Sequence, residues 1–180
     1  KALKQVSDNI NKPLVDLFDV GKMSGLTEVL FMERCLKLLK KGGRMGIVLP
    51  EGVLNNSNLQ KVRDYFEGRA KILLITSIPQ DVFVSAKATV KPSLVFLKKF
   101  TDEEIQEFEK AQESSKKDAQ NQYQKDINDI ESEELSKKEK NKKLKTLRNK
   151  IEEELKKLTK VKFNYQIPIA EAKQAGISTT

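Results

Sequence analysis

The 180 residues, 38% hydrophobic and 33% charged, allow one domain with an appendage, and no apolar run reaches the roughly 18 residues of a membrane span. With no histidine and one cysteine, Cys35, the sequence excludes Ser-His-Asp and Cys-His catalysis and leaves no zinc site of the usual kinds. The lone cysteine fits a reducing, cytoplasmic setting, and a start at Lys1 without targeting signal reads as a piece of something longer. The net charge of +8 is uneven. Residues 101–160 hold 15 Lys/Arg against 16 Asp/Glu, so the remainder holds 19 against 10. A basic excess in the α/β-like part points to a phosphate-bearing partner, the alternative being a merely soluble basic surface.

Residues 1–25 are polar and irregular, broken by Pro13, Gly21 and Gly25, with Leu14, Val15, Leu17 and Phe18 as a short helix or anchoring segment. Ser24 is placed as the N-cap of a helix over 26–41. There Leu26, Val29, Leu30, Phe31, Cys35, Leu38 and Leu39 recur at helical spacing before Gly42 and Gly43. Lys40, Lys41 and Arg44 at its end favour the helix dipole. Met45, Ile47, Val48 and Leu49 then form an apolar strand expected to be buried on both faces. Asn56 or Ser57 caps a second helix with Leu59, Val62, Tyr65 and Phe66 on its inner face. Strands follow over 71–77 and 93–100. Their connection, Ile78 to Pro92, is too short for a crossover helix, so the two are expected to be antiparallel.

Residues 101–160 contain no Gly and no Pro. Leu144, Leu147, Ile151, Leu155 and Leu158 keep a narrow coiled-coil-like seam, and Ile105, Phe108, Tyr123, Ile127 and Ile130 are sparser upstream. The pattern predicts a long antiparallel helical hairpin turning near Ser132 to Ser136. Its near-zero net charge argues against DNA as its main partner. Phe163 to Ile169 is a mixed segment, followed by a short helix towards Gly176. The expected organisation is therefore an α/β part over 1–100, a charged hairpin over 101–160 and a closing segment over 161–180 that returns to the α/β part.

Two stretches carry a family resemblance. VLFMERCLKLLKKGGRMGIVLPEGVLNN (29–56) resembles the helix, strand and loop of the modification subunits of type I restriction enzymes, which are N6-adenine DNA methyltransferases. KILLITSIPQDVFVSAKATVKPSLVFLK (71–98) resembles the antiparallel pair that ends the same domain, and FNYQIPIAEAKQAGI (163–177) the segment after a variable helical insertion. Pro92 stands where a Thr is more usual. The resemblance implies the C-terminal half of a Rossmann-like, S-adenosylmethionine-dependent methyltransferase sheet. It implies transfer of a methyl group to adenine in DNA, with specificity and restriction subunits as partners and no membrane. The family's Gly-containing cofactor turn and its Asn-Pro-Pro-aromatic motif are absent, since the five prolines are never adjacent. By the family's order that motif belongs upstream of Lys1. No catalytic residue is therefore assigned, and these residues alone are expected to bind the cofactor poorly and to be inactive.

Ligands of open α/β sheets gather at the carboxyl ends of the strands. Pro50 to Asn56, Ile78 to Pro92 and the N-terminal loop are placed there. In resembling enzymes the loop between the last two strands supplies an aromatic that stacks on the flipped-out adenine, which points to Phe83; the alternative is a Phe closing the core. Pro50, Glu51, Asn55 and Asn56 are substrate-side candidates; turn formation and capping of the next helix are the alternative for the last three, and the stronger reading for Asn56. Lys87 and Lys91 are candidates for DNA phosphates, or are merely solvated. Two other readings stay open. One is an interaction module whose hairpin docks a specificity or partner subunit; the other is an S-adenosylmethionine enzyme acting on RNA or protein.

Overall fold

The computed structural model describes residues 9–86, 90–133 and 136–174. In chain order these form α1 (Thr27–Leu38), β1 (Arg44–Pro50), α2 (Glu51–Asn55), α3 (Gln60–Glu67), β2 (Ala70–Ser77), β3 (Pro92–Lys99), α4 (Asp102–Ser132), α5 (Lys137–Lys162) and β4 (Ile169–Glu171). Leu14–Leu17, Val20–Lys22, Ser57–Leu59 and Gln80–Ala86 are 3-10 turns. The chain divides into two compact units, one of residues 1–101 with 167–180 and one of residues 102–166.

The first unit is α/β. Its sheet has the order β1-β3-β2-β4, with β3 antiparallel to both neighbours and β4 parallel to β2. The expected antiparallel last pair is present, inserted so that β1 and β2 run parallel on either side of β3. Pro50 faces Pro92 at the last β1–β3 position. Neither proline has an N–H to give, so the ladder stops there. Gly42, at φ +72°, makes the turn into β1, a left-handed conformation that favours glycine. Gly46 lies opposite Phe96, whose ring would come within 3.0 Å of any added Cβ, so the missing side chain lets the aromatic lie over the strand.

One face of the sheet carries the core. Leu49, Val95, Leu97 and Ala70 pack with Val29, Met32 and Leu36 of α1 and with Val62, Tyr65 and Phe66 of α3. The inner face read for α3 is buried throughout, since Leu59, Val62, Tyr65 and Phe66 are all 8% exposed or less. The reading of α1 needs correction. Val29, Met32, Glu33 and Leu36 face inward, while Leu26, Phe31 and Leu38 are 44%, 61% and 72% exposed. The helix also ends at Leu38, before the glycines, and Ser24 does not cap it: Leu26 holds that position and its N–H donates to Ser24 Oγ at 3.2 Å. β1 is not covered on both sides either. Val48 is 47% exposed, because among the described residues β1 pairs with β3 alone and stands at the sheet edge.

The second unit is an antiparallel helix pair. Of the expected seam only Leu147 is among its buried positions; the others are Glu104, Ala111, Ser115, Ala119 and Thr159. Small residues let the helices approach closely, with Tyr123, Ile127, Ile130, Leu144 and Ile151 half-buried towards the tip. Ser136 caps α5 in a capping box with Glu139, donating to its carboxylate at 2.5 Å and accepting from its N–H. That hydrogen bond holds the Glu139 carboxyl below its ordinary range. After the pair, the chain adds β4, with Ile75 N–H donating to Pro168 O and Ala172 N–H to Ser77 O. No helix begins by Gln174, and residues 175–180 lie outside the described residues. Among the described residues no helix is long and apolar enough to cross a membrane.

Candidate functional site

Antiparallel insertion of β3 brings the start of β3 to the same sheet edge as the ends of β1 and β2. Pro50 pairs with Pro92 and Ser77 with Ser93, so the segments 50–56 and 78–91 leave from one edge. Two backbone bonds lock this edge: Glu51 N–H donates to Lys91 O at 3.0 Å and Ile78 N–H to Pro92 O at 3.1 Å. Parallel β4 ends there too, with Glu171 beside Ser77. Four strand ends therefore frame one edge, the position at which open α/β sheets hold ligands.

The sequence candidates fall on that frame unequally. Pro50 closes β1 and Glu51 opens α2, both half-buried. Asn55 is exposed at the end of α2. Asn56 is committed to the chain, its Oδ1 accepting from Asn58 N at 2.9 Å to cap the following turn. Lys91 contributes its carbonyl to the lock on Glu51 and is half-buried. Phe83 lies at a break within the Gln80–Ala86 turn, at φ −108° and ψ 15°. It is 37% exposed and is not among the residues of the hydrophobic core. Lys87 lies outside the described residues.

Two features escaped sequence reasoning. Arg63, on α3, donates to Val53 O at 3.2 Å, Asn56 O at 2.8 Å and Gln60 Oε1 at 2.7 Å. One guanidinium thus satisfies a carbonyl within α2 and one just after it, tying α2 to α3. The second is a polar cluster under the N-terminal segment. Glu33 is fully buried and accepts from Asp19 N at 3.1 Å and Val20 N at 2.8 Å, while Lys37 pairs with it at 2.5 Å. Lys37 also reaches Asp19 at 3.2 Å, and Tyr65 Oη donates to Asp19 at 3.0 Å beneath the Arg69 guanidinium, 3.7 Å above its ring. The Tyr65 bond, then Lys37, holds the Asp19 carboxyl below its usual range; Glu33 raises Lys37. Burial first, then the bond to Asp19, pushes Tyr65 up to about 12. Tyr65 sits in the last turn of α3, which leads to the amino end of β2. Asp19 and Val20 are thus held towards the amino edge, a correction to their placement with the ligand-facing loops.

The described residues do not fit S-adenosylmethionine by themselves. The junction after β1 offers one glycine, Gly52, and its first helical N–H is already taken by Lys91 O. The turn after β2 runs Ile78-Pro79 without glycine. What the edge offers is a polar rim (Glu51, Asn55) and a partly exposed aromatic, groups suited to holding a planar ligand.

No curated protein matches the chain. Among solved structures it is similar to a candidate class I S-adenosylmethionine-dependent methyltransferase from Listeria monocytogenes, at 22% identity and a TM-score of 0.43, covering 49% of this chain and 27% of that one. The family model described as N-6 DNA Methylase matches residues 18–175, a stretch that takes in the α/β edge, the helix pair and β4 alike. The chain belongs to the N-6 DNA methylase family.

Proposed function

We propose that this chain forms the base-holding side of a DNA adenine-N6 methyltransferase, the modification subunit of a type I restriction–modification system. The observation that carries the reading is the common edge at which Pro50–Asn56 and the Phe83 turn meet, in a chain whose family is that of the N-6 DNA methylases. S-adenosylmethionine would supply the methyl group, from residues that these 180 do not include. The chain's own part is binding. Phe83 offers a π-face to an extruded base, and Glu51 and Asn55 offer polar atoms to its edge or ribose. Lys91 offers a cation to the phosphates of the target strand, and Lys87, outside the described residues, is a second candidate by its place in the sequence. The specificity and restriction subunits of such a system are the partners, and the cytoplasm is the compartment in this reading.

Base analysis of the product tests it. DNA incubated with the intact protein and methyl-labelled S-adenosylmethionine, then digested to nucleosides, is expected to carry label on the N6 of adenine. Label on cytosine, or label on RNA or protein with none on DNA, overturns the reading.

A further inference from the structure

The near-zero charge of residues 101–160 conceals a separation that the helix pair makes visible. α4 carries 10 Asp/Glu against 4 Lys/Arg, and α5 carries 12 Lys/Arg against 4 Asp/Glu. Within α5 the excess lies in the first half, where residues 137–150 hold 8 Lys/Arg and the single acid Glu139. Glu139 is occupied by its cap at Ser136.

The helix wheel sorts these cations. Leu144, Leu147 and Ile151 turn towards α4, with Leu147 7% exposed. Lys142, Lys143 and Lys150 line one flank, a 630 Å³ groove shared with Asp126 and Asp129. Lys143 pairs with Glu133 at 2.5 Å, and Lys140 donates to Glu131 O at 2.8 Å. Lys137, Lys138, Lys145 and Arg148 are exposed and lie outside that flank. Among the described residues none of the four has a carboxylate at ion-pair distance.

Helix stability does not account for this placement. Lys137 and Lys138 stand in the first turn, at the positive end of the helix dipole, where a cation costs rather than contributes. Lys138, Lys145 and Arg148 add like charges along and around one face, at spacings that include the repulsive i,i+3. Such repulsion is relieved by an external anion. From Lys138 to Arg148 the helix rises about 15 Å, and duplex DNA carries about one charge per 1.7 Å of its axis, so this face meets several phosphates at once. A membrane surface fits less well: among residues 137–150, all described, no large hydrophobic residue is strongly exposed, so this half of the helix would have nothing to insert.

We infer that the outward face of the first half of α5, with Lys137, Lys138, Lys145 and Arg148, is a sequence-independent contact for the phosphates of duplex DNA. The choice of DNA over other polyanions rests on the proposed function; the charge separation does not. This reverses the expectation drawn from the hairpin's net charge.

Two triple variants of the full chain with equal charge change test it: Lys138→Glu with Lys145→Glu and Arg148→Glu, against Lys110→Glu with Lys116→Glu and Lys117→Glu on α4. Each is checked first for unchanged helicity by circular dichroism. Anisotropy of a labelled mixed-sequence duplex across a salt series is expected to show at least about tenfold weaker binding for the α5 variant at low salt. Its slope of log K against log salt should be shallower by about 2 to 3, with the α4 variant within about threefold of the parent. Equal weakening by both variants, weakening by neither, or tighter binding of phosphatidylserine vesicles than of duplex overturns the inference. Because binding is read without methylation, failure here leaves the base analysis untouched, and a negative base analysis leaves this result readable.

Discussion

Glu33→Ala is expected to destabilise this chain by about 3–5 kcal/mol in chemical denaturation, the largest single-residue effect foreseen. The carboxylate is fully buried and accepts from two backbone N–H groups, those of Asp19 and Val20. Truncation leaves both backbone donors facing a cavity, and each orphaned buried group adds its own desolvation cost. Two companions locate the cause. Glu33→Gln keeps an acceptor of the same shape and should lose clearly less than Ala. Lys37→Ala should lose under about 1 kcal/mol, because its side chain is 48% exposed and an ion pair of that kind is heavily screened. Equal losses for Lys37→Ala and Glu33→Ala would assign the effect to the ion pair instead of to capture of the N-terminal backbone.

Phe83→Ala in the intact methyltransferase is expected to lower methylation by between about fivefold and a hundredfold while leaving S-adenosylmethionine affinity nearly unchanged. A stacked base contributes about 1–3 kcal/mol, and in the proposed role Phe83 acts on the base and not on the methyl donor. Phe83→Tyr or Phe83→Trp should recover most of the rate, since any aromatic face serves. The ring's position, partly exposed and outside the core residues, supports this over a packing role. Packing predicts a different result: equal loss of methylation and cofactor affinity with a lowered denaturation midpoint, and no rescue by Trp.

What the sequence made legible follows from how far each signal reaches along the chain. The α3 face at Leu59, Val62, Tyr65 and Phe66 was readable because spacing alone sets it, and each of the four is buried. The antiparallel β2–β3 pair followed from loop length. Glu33 was not legible. An acid inside an apolar stripe resembles a solvent-facing residue, and its meaning appears only with backbone donors 13 and 14 residues away. The same blindness misassigned Phe31 and Leu38, which complete an apolar pattern yet stand exposed. In the helix pair, Ala111, Ser115 and Ala119 were passed over because small residues carry little hydrophobic signal, although they set how closely the helices meet. At the sheet edge the residue types led to Pro50, Glu51 and Asn55, which the structure places where β1 passes into α2. The Arg63 clasp was hidden because its acceptors are carbonyls, which no residue name reveals.

The proposed function is a division of labour in which this chain would hold the base and the methyl donor's site would lie in residues it does not contain. Calorimetric titration of S-adenosylmethionine into residues 1–180 tests that directly. The account predicts no saturable heat in the micromolar range, while the intact protein binds; micromolar binding by residues 1–180 alone would contradict it.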